Sequence, residues 1–199
     1  MAKGQFVFTQ IEKFAGKLPG GLRGSVLDHV GAVRALFAHG YLDAARQSHD
    51  LAEKLAAARQ IVSTTSALCA TVGIEPIPLA DFPILTSLQA MMVSGIIYVS
   101  GREVSKKAAG EFLAAMGANL SAGLVLREGA RAVAKLLPGW GNAVSGAIAG
   151  AGTYAVGRAA TAYFIENASI KDARELFRRE KKLARKKTPP ALLPPVSQR

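Results

Sequence analysis

Hydrophobic positions recur along most of this sequence at the three-to-four-residue spacing of an α-helix, and no stretch of convincing length shows the two-residue alternation of a strand. Val7, Ile11, Phe14 and Leu18 form one stripe over Gln5–Leu18, and Pro19-Gly20-Gly21 is expected to stop it. Lys3, Lys13 and Lys17 flank that stripe, so the segment suits either the body of the protein or a bilayer surface. A second helix is expected to open at Ser25, which pairs with Asp28 as in a capping box. It continues through Val26, Val30, Val33 and Phe37 to a stop at Gly40. A long helix is then expected from about Leu42 to Val72, with Leu51, Leu55, Ala58 and Val62 on one face.

Pro76 and Pro78 cannot sit inside a helix, so the segment up to Pro83 reads as a turn between two arms. Asp81 is placed to cap the next helix by accepting from the amide of Ile84. That helix, Phe82–Gly101, carries no charge after its cap until Arg102. Another long helix is expected over Ser105–Leu137, ending at Pro138-Gly139-Trp140-Gly141, and a final arm begins near Asn142. Ser169 and Asp172 repeat the capping pattern and open a helix with Ile170, Ala173, Leu176, Phe177 and Leu183 on its inner side. From Thr188 onward Pro189, Pro190, Pro194 and Pro195 predict an extended, mobile tail.

The expected fold is therefore all-α: two long helical hairpins, Gln60–Gly101 and Ser105–Ile165, form a bundle with flanking amphipathic helices. The divisions follow as 1–40, amphipathic helices; 41–167, helical-hairpin core; 168–187, basic helix; and 188–199, proline-rich tail. The structural turns rest on Pro76, Pro78, Asp81, Pro83, Pro138, Gly139 and Gly141.

Composition sharpens one question. Half of the 199 residues are hydrophobic but only 7% are aromatic, and there are 20 glycines, so helices are expected to touch through small side chains. A membrane-spanning helix needs about 20 predominantly apolar residues. Phe82–Gly101 and Leu136–Gly157 reach that length, whereas Gln60–Ile74 falls short. Thr86, Gln89 and the run of glycines between 139 and 157 weaken both candidates. Gly146-x-x-x-Gly150, continued by Tyr154 and Gly157, is expected to be a helix-packing face, which would serve a bilayer hairpin and a soluble bundle equally well.

The formal net charge is +11, and residues 171–199, with ten basic and three acidic side chains, hold most of it. Lys171, Arg174, Arg178, Arg179, Lys181 and Lys182 are the expected membrane or partner surface. Such a charge placement puts the C-terminus on the cytoplasmic side. The opening Met1-Ala2-Lys3-Gly4 leads into an amphipathic segment and not into a signal-peptide core, which points the same way. Nucleic acid is not an expected partner, because no aromatic interleaving accompanies the charge.

Catalytic chemistry finds little purchase. Cys69, the single cysteine, excludes an internal disulfide and reads as a small buried hydrophobe. Gly150-x-Gly152-x-x-Ala155 fits a loose dinucleotide fingerprint, but it falls within a helix where the fingerprint needs a preceding strand. Gly16-Lys17 is followed by Leu18, so no phosphate-binding P-loop is present. His29, His39 and His49 are ten residues apart and share no helix face. Glu111 is expected to pair with Lys107. No enzyme activity, cofactor or metal is expected.

Two stretches go beyond periodicity. Ile74-Glu75-Pro76-Ile77-Pro78-Leu79-Ala80-Asp81-Phe82-Pro83-Ile84-Leu85-Thr86 running on to Gln89, and Pro138-Gly139-Trp140-Gly141 with Gly152-Thr153-Tyr154-Ala155-Val156-Gly157-Arg158, resemble a bacterial domain of unknown function. That domain is found C-terminal to Era/Ras-like GTPase domains and in YcjF-type membrane proteins. The resemblance covers about residues 60–166 and implies a helical, membrane-linked, GTPase-associated module, although the GTPase domain itself is absent. The expected function is thus a non-catalytic membrane-associated helical module at the cytoplasmic membrane. Its expected partners are the membrane, a GTPase in trans or another protein, and a second copy of the chain. The alternative is a soluble cytoplasmic adaptor or scaffold.

Overall fold

The structure is a computed structural model, and it describes residues 12, 16, 20–38, 40–73, 81–117 and 140–187. Among the described residues the chain is all-α, with seven helices and no strand. They are α1 (Gly20–Ala38), α2 (Tyr41–Gln47), α3 (Leu51–Gly73), α4 (Asp81–Val99), α5 (Lys106–Gly117), α6 (Trp140–Phe164) and α7 (Ile170–Lys187).

The centre is built from α3, α4 and α6. The most extensive interface is between α3 and α6, and α4 lies against both. Glycine at two positions of α6 lets the backbones approach: a Cβ on Gly150 would lie 2.8 Å from the Cβ of Ala70, and one on Gly157 would lie 2.5 Å from Cγ2 of Val62. Among the described residues α6 has its main partner in α3, and α5 touches it only sparsely; residues 118–137, the rest of the arm expected to pair with α6, lie outside the described residues. One end of the core gathers Val26, Val30 and Val33 of α1 with Leu68, Cys69 and Val72 of α3 and Leu85 and Leu88 of α4. The other joins all seven helices, reaching from Leu36 and Leu42 through Ile61, Met92, Ile96 and Ala159 to Phe112 and Phe177.

Burial accounts for the missing charges of α4. Leu85, Leu88, Met92, Val93, Ile96, Ile97 and Val99 are all buried, and an unpaired charge among them would carry a large desolvation cost. Gln89, the polar exception, donates from Nε2 to Thr153 Oγ1 at 3.1 Å. Among the described residues no helix is long and apolar enough to cross a membrane.

Several helix ends follow local chemistry. Gly40 follows α1 in the left-handed region at φ +30°, a conformation glycine adopts without steric cost. Ser105 Oγ accepts from the amide of Ala108 at 3.0 Å and opens α5. Two boundaries differ from expectation. First, α1 begins at Gly20, so Gly20-Gly21 opens a helix and Ser25 lies inside it. A cap is worth only about 1 kcal/mol, whereas helix propagation adds one backbone hydrogen bond for each residue fixed, with Val26 and Val30 already anchoring the turn.

Second, the helix expected over Leu42–Val72 is interrupted. After Gln47 the chain turns extended at Ser48 (φ −61°, ψ 140°), and Asp50 Oδ1 accepts from the amide of Ala52 at 2.8 Å to restart it as α3. Asp50-x-x-Glu53 is itself a capping pair, set inside an otherwise helical pattern.

Pro76, Pro78, Pro138 and Gly139 lie outside the described residues, as do the first expected helix, apart from Glu12 and Gly16, and the proline-rich tail from Thr188. Asp81 and Pro83 fall in the first turn of α4 and Gly141 in that of α6.

Candidate functional site

Helix α7 is positioned from its first residue. Asp172 donates its backbone N–H to Ser169 Oγ at 3.1 Å, and Ser169 donates its own to Asp172 Oδ2 at 3.3 Å. Together they form the reciprocal capping box that the sequence predicts. Asp172 also sits at the positive end of the helix dipole.

One side of α7 is committed to the bundle. Ala173 is fully buried and Phe177 nearly so; both belong to the same core as α4 and α6, and α6 is the principal neighbour of α7. The opposite side is cationic. Lys171, Arg178 and Lys182 are exposed and lie at i, i+7 and i+11, within about 40° of one another around the helix. Arg179 is exposed at the edge of this stripe, and Arg174 and Lys181 are half-buried beside it. The Lys181 ammonium lies 5.7 Å from the Phe177 ring centroid, which ties its stem to the helix. Asp172 and Glu175 leave the face mixed in sign but positive in balance.

The packing residues divide differently from expectation. Gly146, Gly150 and Gly157 are buried. Tyr154 is 42% exposed and does not join their seam; a long side chain 40° or so from the line through Gly150 and Gly157 leans outward over solvent.

Titratable groups do not assemble into a reactive constellation among the described residues, where no group of three or more His, Cys, Asp or Glu side chains is placed to hold a metal ion. His49 is exposed and His29 half-buried, while His39 lies outside the described residues. Cys69 is fully buried between α1, α3 and α4; burial pushes its thiol up to about 12, with a hydrogen bond to Thr153 pulling weakly the other way. A thiol held neutral in this way is a packing group and a poor nucleophile. Glu111 and Lys107 approach to 3.9 Å, both well exposed, a geometry that contributes little.

No family model, curated protein or solved structure matches the chain. The functional reading therefore rests on the geometry of the helices and on the charge they carry.

Proposed function

We propose that the chain is a non-catalytic, membrane-associated helical module held at an anionic lipid surface, on the cytoplasmic side, by the cationic face of α7. The observation that carries this reading is the division of α7: Ala173 and Phe177 are consumed by the core, while Lys171, Arg178 and Lys182 stand in a row on the far side. Because the apolar face is already occupied, α7 offers charge and not insertion. Each basic side chain near an anionic leaflet contributes about 1 kcal/mol, and the attraction fades within a Debye length. Binding should accordingly be peripheral and salt-sensitive. A GTPase acting in trans as the partner rests on the resemblance over residues 60–166 alone.

The test is flotation with vesicles of anionic or purely zwitterionic phospholipid, followed by salt, carbonate and detergent washes of the protein expressed in bacteria. Recruitment to anionic vesicles, release by salt, and loss of both in a Lys171→Glu, Arg178→Glu, Lys182→Glu variant are the expected results. Retention through salt and carbonate would replace the peripheral reading with embedded hairpins.

A soluble adaptor is the second reading, favoured by one specific observation: α4, uncharged after Asp81, buries its apolar side chains against α3 and α6 and needs no lipid to cover them. Absence of binding to anionic vesicles at low salt would select it.

A further inference from the structure

The connection between α4 and α5 is held unusually firmly for an exposed loop. Arg46 of α2 donates to the backbone carbonyls of Tyr98 at 3.3 Å and Arg102 at 3.2 Å, and its guanidinium lies 4.5 Å from the Tyr98 ring centroid. Lys54 donates to the carbonyl of Ser100 at 3.4 Å. The Arg102 side chain is fixed as well: it donates to Asn167 Oδ1 at 2.8 Å and stacks 5.6 Å from the Phe164 centroid. Asn167 itself is in the left-handed region at φ +56°, a conformation asparagine tolerates better than most residues.

Beside this loop a cavity of about 370 Å³ opens between α5, the end of α6 and the start of α7. Its apolar wall joins Ile97, Ala108, Ala115 and Ile170 to an aromatic cluster in which Phe112 lies 5.7 Å from Tyr163 and 5.2 Å from Phe164, centroid to centroid. Arg102, Glu103 and Glu111 line the same space. Neither carboxylate comes within ion-pair distance of Arg102; the ion pair that Glu111 makes is the long, exposed one to Lys107. Residues of both signs, all three exposed, thus line one small, open, partly aromatic cavity without pairing with each other. A purely anionic ligand would meet two carboxylates there, and a purely cationic one would meet the guanidinium.

We propose that this cavity binds a small zwitterion, a phosphate joined to a primary ammonium by a short carbon chain, as in phosphoethanolamine. Four of the five N–H donors of Arg102 remain after the bond to Asn167, and a planar fork suits two phosphate oxygens at once. Glu103 and Glu111 receive the ammonium, and the carbon chain lies over Phe112 and Tyr163, whose ring faces also attract a cation. The volume is at the small end of ligand cavities, which suits a ligand of few heavy atoms. The same chemistry comes either as a lipid headgroup or as a free aminoalkyl phosphate. The site shares no cationic residue with the α7 face, so it stands whether or not that face binds lipid.

The experiment is calorimetric titration of the full chain with phosphoethanolamine, inorganic phosphate and ethanolamine, each alone. Saturable one-to-one binding of phosphoethanolamine is expected, with the two fragments weaker by at least about tenfold. Glu111→Gln, exposed and isosteric, should weaken phosphoethanolamine by about tenfold while leaving phosphate unchanged. Arg102→Lys, which keeps the charge and removes the fork, should weaken phosphoethanolamine and phosphate by a similar factor. Circular dichroism of both variants establishes that they fold. No saturable binding, phosphate binding as tight as that of phosphoethanolamine, or folded variants that bind like the wild type would overturn the proposal. Flotation on uncharged vesicles, where α7 gains nothing, distinguishes the sources. A preference for phosphatidylethanolamine over phosphatidylcholine that Glu111→Gln abolishes identifies the headgroup; soluble binding without that preference identifies the free compound.

Discussion

Replacing single glycines of α6 by alanine separates close helix contact from ordinary helix propensity. At an open helical position, Gly→Ala stabilises by about 0.8–1 kcal/mol because the unfolded chain loses less freedom on folding. Gly152 has nothing within 4 Å of an added Cβ, so Gly152→Ala should show that full gain. At Gly157 the new methyl would lie 2.5 and 2.7 Å from the two γ-carbons of Val62 and 3.1 Å from Met92 Sδ. Val62 is 2% exposed, and its β-branch leaves it one comfortable rotamer in a helix, so it cannot swing aside. Overpacking of this kind costs about 1–3 kcal/mol, which exceeds the propensity gain over most of its range. Gly157→Ala should therefore be destabilising by about 1 kcal/mol. Gly150→Ala should lose about 2 kcal/mol, because the new methyl meets Ala70 Cβ at 2.8 Å and the Ser66 carbonyl oxygen at 3.1 Å, and neither can move without shifting α3. Urea unfolding followed by far-ultraviolet circular dichroism measures all three. Val62→Ala removes both clashing carbons, so the cycle with Gly157→Ala should show a coupling of about 1 kcal/mol or more. If Gly157→Ala stabilises as much as Gly152→Ala, with no coupling to Val62, then α6 does not approach α3 through these glycines and the central interface is wrong.

Four further outcomes follow from particular residues. Cys69, with its thiol raised to about 12 by burial, should be present as thiolate at pH 8 in about one molecule in ten thousand; it should resist aromatic disulfide reagents until denaturant is added, and rapid labelling of the native protein would refute its burial. The sign of that shift also makes stability fall as pH rises above about 9, where the unfolded thiol ionises and the folded one does not; urea midpoints of wild type and Cys69→Ala across that range should converge. Asp172→Ala removes one half of the capping box and should cost about 1 kcal/mol, whereas Phe177→Ala, emptying a core position, should cost about 3–5 kcal/mol and expose α7 to proteolysis.

Local chemistry made some of this fold legible. The α7 capping box, the start of α5 at Ser105 and the left-handed Gly40 needed only neighbouring residues, and each was readable as such. The interruption at Ser48–Asp50 was readable in principle, because Asp50 and Glu53 form a capping pair, but the helical periodicity on both sides masked it. The start of α1 was not: two glycines are poor helix residues, and what carries the helix back to Gly20 is propagation from a buried valine stripe.

The cationic face and the cavity differ in legibility for a physical reason. The face depends on the helical period alone, so Lys171, Arg178 and Lys182 could be aligned before any packing was known. The charge-free run of α4 after Asp81 was ambiguous because hydropathy reports that apolar atoms leave water without saying what they enter; a bilayer and a three-helix core both satisfy it. Nor could hydropathy foresee the partner of Gln89, since Thr153 comes from 64 residues away: a buried amide needs a specific acceptor, and the meeting of α4 and α6 supplies it. The cavity was out of reach for the same reason. Arg102 and Glu103 come from a loop, Glu111 and Phe112 from α5, Tyr163 and Phe164 from the end of α6, and Asn167, which holds Arg102, from the connection to α7. Periodicity could assign Glu111 only to its helical neighbour Lys107, and at 3.9 Å in solvent that pair leaves the carboxylate free to serve the cavity instead.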